Sequence, residues 1–126
     1  MKNMAALMFA ALMPTLLLAH HGPGMRGYDP DKTIVITGVI TKCFDCSNGS
    51  RGHGVVSILV GSVVWEATLP DTPSLRKAKI SLTKLKKGTA VTVTGFPNKS
   101  ASAYFQHKIY AREIVSKGVR ILSYDG

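Results

Sequence analysis

The sequence has only two glutamates, Glu66 and Glu113, two cysteines, Cys43 and Cys46, and one tryptophan, Trp65. Two cysteines cannot build a multi-disulfide scaffold. There is no phosphate loop, no Gly-x-Ser-x-Gly and no His-Glu-x-x-His, and the two glutamates offer no acid–base pair of defined geometry. An enzyme is therefore not expected. Acid is scarce overall: seven Asp and Glu stand against sixteen Lys and Arg, a net charge of +9. Hydrophobic residues make up 45% and charged residues 18%, which is too apolar for a disordered tail. At 126 residues the chain is too short for a dinucleotide-binding or barrel enzyme fold of about 200 residues or more. It holds one domain at most.

No apolar run is long enough to span a bilayer, which takes about 20 residues. Residues 4–18 are apolar except for Pro14 and Thr15, with Lys2 ahead of them and no charged stop behind. Residues 1–19 thus read as a secretory signal cut after Ala19, the competing reading being an uncleaved anchor. No cysteine follows the run, so it is not a lipoprotein signal. The expected location is periplasmic or secreted, with no transmembrane segment after signal removal. That compartment is oxidising, so the cysteines are judged there.

Residues 20–32 hold Gly22, Pro23, Gly24, Gly27 and Pro30 and are expected to be a flexible N-terminal arm. Residues 33–126 are expected to be a single β-barrel domain. In 33–41, Ile34, Ile36, Gly38 and Ile40 fall on one face and Thr33, Thr37 and Thr41 on the other, as in a strand. Residues 43–54 are rich in Ser, Asn and Gly and read as a loop. Strands over 55–60 and 63–69 flank Gly61-Ser62, a two-residue hairpin turn. Trp65 is the expected core anchor.

In 74–87 the period changes. Leu75, Ala78, Leu82 and Leu85 recur at helical steps, with Ser74 as cap and Gly88 as stop. Residues 89–94 return to strand, and Gly95-Phe96-Pro97-Asn98 should turn the chain. Residues 107–115 and 119–123 form a last hairpin around Ser116-Lys117-Gly118. The order predicts an all-β fold: a small five- to six-stranded OB-like Greek-key barrel with one short helix between strands 3 and 4. A small β-sandwich is the alternative.

Several motifs occur together. Leu85-Lys86-Lys87-Gly88-Thr89-Ala90-Val91-Thr92-Val93-Thr94-Gly95-Phe96-Pro97, Trp65-Glu66 followed by Leu75-Arg76-Lys77-Ala78, and a signal ending in Ala19-His20-His21 share one order and spacing. The set resembles a family of small exported bacterial proteins catalogued as a domain of unknown function, over nearly the whole chain. That family carries Asn-Pro-His between its first two strands. Here a longer loop precedes His53, and the resemblance implies that His53 takes that histidine's place. The cysteine pair lies in the altered loop and outside the family pattern.

The double histidine is the sharpest chemical feature. With His20 at the mature terminus, its α-amine and imidazole chelate one metal, and His21 adds a second ring. Such nitrogen-rich tetragonal sites suit copper(II). His53 or His107 would supply a further nitrogen. The competing readings are exposed polar residues on an arm, or a packing or pH role. The Cys43-Phe44-Asp45-Cys46 pair lacks the ligand count of a structural zinc site. It reads as a local disulfide, then as copper(I) ligands, then as a redox dithiol.

Arg76, Lys77, Lys79, Lys84, Lys86 and Lys87 lie in twelve residues without an acid. They form either a solvated face or an anion-binding surface that docks a protein partner or an anionic surface. Nucleic acid is not expected as a partner, because the one aromatic cluster, Tyr104, Phe105 and Tyr110, lies outside the basic run.

Overall fold

A computed structural model describes residues 26–46, 52–100 and 106–124. The expected signal, His20 and His21, and Tyr104 and Phe105 lie outside the described residues. The fold is mostly antiparallel β, with a six-stranded sheet and, among the described residues, one short helix.

Strand β1 spans Ile34–Phe44. Ile36 and Ile40 are buried while Val35, Thr37 and Val39 are exposed, as the alternation predicts. The strand runs past the expected end. Cys43 and Phe44 pair with Val56 and Val55 of β2, which spans His53–Val60. The expected loop over 43–54 is thus shorter at both ends. A register shift between Ile40 and Lys42 breaks the alternation there, so the period hides a strand that backbone pairing continues.

Strand β3 spans Val63–Asp71 and follows β2 through the Gly61-Ser62 turn. Gly61 has φ of +62°, the left-handed conformation that a hairpin of this kind requires at its first turn position. Ala67 and Leu69 are fully buried, but Trp65 is only half-buried. The core centres instead on Ile40, Ile58, Leu69, Ile109, Ile114 and Leu122. Trp65 sits three residues from the hairpin turn, where exposed Val63 and Val64 show that the core is running out.

Helix α1 spans only Thr72–Lys77, not 74–87. Its cap is Asp71, whose carboxylate accepts from the Ser74 N–H at 3.0 Å, and Pro73 stands in the first turn. The stop is a Schellman motif. Lys79 is left-handed (φ 61°), its N–H donates to Arg76 O at 3.0 Å, and the Ile80 N–H donates to Leu75 O at 2.9 Å. Leu75, Leu82 and Leu85 are buried as the period requires but Ala78 is exposed, and Leu82 and Leu85 reach the core from irregular turns. Gly88 ends no helix. Its N–H donates to Ile40 O at 2.7 Å and the Ile40 N–H donates to Thr89 O at 2.9 Å, which ties the connection to β1.

Strand β4 spans Ala90–Pro97 and carries on through the expected turn at residues 95–98. A register shift between Thr94 and Gly95 lets it do so. Strands β5 (Lys108–Ser116) and β6 (Val119–Ser123) form the last hairpin, with Lys117 and Gly118 both left-handed. The sheet order is β3-β2-β1-β4-β5-β6. In addition, β3 pairs in parallel with β5, residues 66–68 lying against 108–110.

Residues 26–32, expected within the flexible arm, are docked. Tyr28 is buried and bridges to Asn98, the Asp29 N–H donates to Pro97 O at 2.9 Å, and the Lys99 N–H donates to Gly27 O at 2.7 Å. With Phe96 and Tyr110, Tyr28 builds a second small core. Burying an aromatic ring outweighs the glycine and proline content that suggested a free arm.

Candidate functional site

The second core adjoins His53. At the start of β2 this ring stands half-buried opposite Asp71 of β3. Its Nδ1 lies 2.6 Å from Leu69 O. A carbonyl only accepts, so Nδ1 carries the proton, and in the neutral ring Nε2 keeps its lone pair. A backbone carbonyl behind one ring nitrogen is the arrangement that fixes the tautomer of metal-binding histidines. The ring centroid of Tyr110 is 6.4 Å from that of His53, and Tyr28 is 5.5 Å from Tyr110. The Tyr28 hydroxyl and Thr68 Oγ1 share a 3.0 Å hydrogen bond, which fixes the arm's last turn beside the site.

Burial acts to raise the Asp71 carboxyl. The Ser74 hydroxyl and N–H and the charge of His53 outweigh it and hold the group below its ordinary 3.8. Tyr110 is pushed up to about 12, chiefly by burial and then by the Asp71 charge. Asp71, Tyr28 and Tyr110 were not among the sequence-predicted site residues. The signal for Asp71 is present: Asp71-Thr72-Pro73-Ser74 places an N-cap aspartate ahead of an early proline.

His107 is elsewhere. Its ring meets Trp65 edge-on at 5.2 Å, and its carbonyl accepts from the Glu66 N–H at 3.0 Å. Glu66 and Asp71 are five residues apart on β3, roughly 16 Å of strand. His107 therefore does not join His53. No group of three or more His, Cys, Asp or Glu side chains gathers among the described residues.

Cys43 and Cys46 stand at disulfide distance, with Cα atoms 5.8 Å apart. Left-handed Asp45 (φ 54°) makes the tight turn between them. Gly54 lets that turn lie on β2, since a Cβ there would sit 3.1 Å from Asp45 O and 3.2 Å from Cys46 Sγ.

Lys108 pairs with Glu66 across the parallel β3–β5 contact at 2.6 Å, and Glu113 pairs with Arg120 across the last hairpin at 3.1 Å. Arg112 lies over the Phe96 ring at 4.9 Å and donates to Tyr124 O at 2.7 Å. Arg76, Lys77, Lys79, Lys84, Lys86 and Lys87 are all exposed on the connection from β3 to β4. Only Arg76 and Lys77 of these are helical, so the basic surface is mostly turn rather than helix face.

Among the described residues no helix is long and apolar enough to cross a membrane. No protein-family model matches the chain, and no curated protein does. Among solved structures it is similar to one described as the ZRD-deleted mutant of TiaS in complex with agmatine, with 17% identity and a TM-score of 0.48. The similarity covers 78% of this chain and 23% of that one, so this chain spans less than a quarter of that protein's length.

Proposed function

We propose that this chain is an exported binding module, an OB-like Greek-key barrel that binds copper(II) through His20 and His21 at its mature N-terminus, with His53 as the ligand on the barrel. The barrel reading is supported by the β3–β5 pairing, which would join the run β3-β2-β1-β4-β5 into a ring, and by a helix between strands 3 and 4. A cysteine pair at disulfide distance fits an oxidising compartment. The resemblance of the motifs to small exported proteins points the same way.

One observation carries the copper reading: His53 Nδ1 is tied to Leu69 O, which leaves the lone pair on Nε2, and Tyr110 lies near both His53 and the docked Tyr28. Five residue steps separate His21 from Arg26 of the docked segment, a reach of up to about 18 Å when extended. Within that reach the two N-terminal histidines would meet His53. The reading is a binder and not an enzyme, since the Asp71 carboxylate opposite His53 is engaged by Ser74 as the helix cap.

The test is calorimetry and paramagnetic resonance with copper(II) on protein whose N-terminus is verified as His20. Binding is expected to weaken with acid, because protons compete for the same lone pairs. His53→Ala should change the resonance signature, and replacing His20 and His21 together by Ala should abolish binding. Unchanged affinity in that double variant refutes the proposal. A second reading, docking of a protein partner or an anionic surface through the basic connection, is favoured by six exposed cations with no acid among them.

A further inference from the structure

The turn that carries Lys86 and Lys87 adjoins an apolar row on the sheet's outer face. In register, Ala90 of β4 lies opposite Val39 of β1, Val39 opposite Leu59 of β2, and Leu59 opposite Val64 of β3. Directly opposed residues share a face of a sheet. Their neighbours Val91, Ile40 and Ile58 are buried on the other face. Val39 is 42% exposed, Leu59 39% and Val64 52%, and Ala90 is exposed as well. The row thus crosses four strands without a polar residue.

The next row on the same face is Lys42, Ser57 and Glu66, the last held by Lys108. At the β4 end the row meets the turn over residues 86–89, where the Thr89 N–H donates to Lys86 O at 3.1 Å. The Gly88 and Thr89 bonds to Ile40 place Lys86 and Lys87 within a residue or two of Val39 and Ala90. An apolar row with a cationic border is what a bilayer interface with acidic headgroups accepts: side chains enter the acyl boundary while lysines meet phosphates. The net charge of +9 opposes a second copy of the same chain on this face.

We propose that the row Ala90, Val39, Leu59 and Val64, with Lys86 and Lys87 on the adjoining turn, is a docking surface for an anionic phospholipid bilayer. This rests on the reading of the basic connection as a docking surface and is independent of copper. It adds what the charge alone does not specify, a contact that needs apolar side chains as well as lysines.

The test is flotation with vesicles of phosphatidylglycerol and phosphatidylethanolamine, against vesicles of phosphatidylcholine alone, at low and high salt. Wild type and variants carry the same verified N-terminus, and far-ultraviolet spectra check that each is folded. The expected result is binding to the acidic vesicles only. A Lys86→Glu, Lys87→Glu variant should weaken it about tenfold or more. Leu59→Ser with Val64→Ser should weaken it severalfold while leaving the charge untouched.

Soluble polyphosphate is the comparison probe. Salt-sensitive binding to polyphosphate without vesicle binding overturns the bilayer assignment and leaves the basic reading standing. Binding to neither overturns both. Vesicle binding that is indifferent to Leu59 and Val64 overturns the proposal too, because charge alone then accounts for it.

Discussion

His53 and Asp71 face each other across the β2–β3 pair, one ring tied to Leu69 O and one carboxylate capping helix α1. The candidate metal-facing histidine and the start of the helix are therefore held by adjacent hydrogen bonds. The ordering of one supports the other.

Asp71→Ala is expected to cost about 1 kcal/mol through loss of the cap. The carboxyl is held below its ordinary 3.8, so its contribution is complete above that value and is lost as pH falls through the lower folded value. Asp71→Asn should therefore flatten the acid limb of the stability profile. Urea unfolding at neutral pH and near pH 3 checks both statements.

Tyr110 should ionise late for a phenol. Its folded value of about 12 lies above the ordinary 10.0, so the proton is held more tightly in the native state. Stability from this group is full below the ordinary value and declines as pH rises towards the folded one. An absorbance titration should show a late step that Tyr110→Phe removes.

Gly95 meets the backbone of β5 so closely that an added Cβ would collide with the Tyr110 carbonyl. Gly95→Ala is expected to destabilise by about 3 kcal/mol, the upper end for overpacking. Because the collision lies beside the second core, docking of Tyr28 should loosen with it. Hydrogen exchange at the Asp29 and Lys99 amides reads that loosening, and protection equal to wild type would contradict it.

Trp65→Ala should cost about 2 kcal/mol, less than the roughly 3–5 of a fully buried aromatic. The ring is half-buried and rests on His107. As the chain's single tryptophan, its emission reports on this end of β3, and His107→Ala should shift that emission while leaving the signal of the His53 region unaltered.

The class of the fold was legible because period-2 alternation reflects burial directly: Ile36 and Ile40 lie where it predicts, and so do Ala67 and Leu69. It failed where burial and backbone pairing part company. The register shifts near Thr41 and Thr94 move side chains without ending the strand, so β1 and β4 outlast their patterns. Leu82 and Leu85 keep a helical spacing although the helix has stopped, because a turn can deliver an apolar side chain to the same core. Of the region around His53, the sequence offered only His53 itself, through the resemblance; Asp71, Tyr110 and Tyr28 near it are common residues brought there by long-range pairing.

The Gly52 carbonyl accepts from both the N–H and the hydroxyl of Thr72, at 2.9 and 3.0 Å. One backbone oxygen therefore ties the residue ahead of His53 to the first residue of helix α1. Thr72→Val, by removing the hydroxyl's bond, would weaken the start of β2 and the start of the helix together.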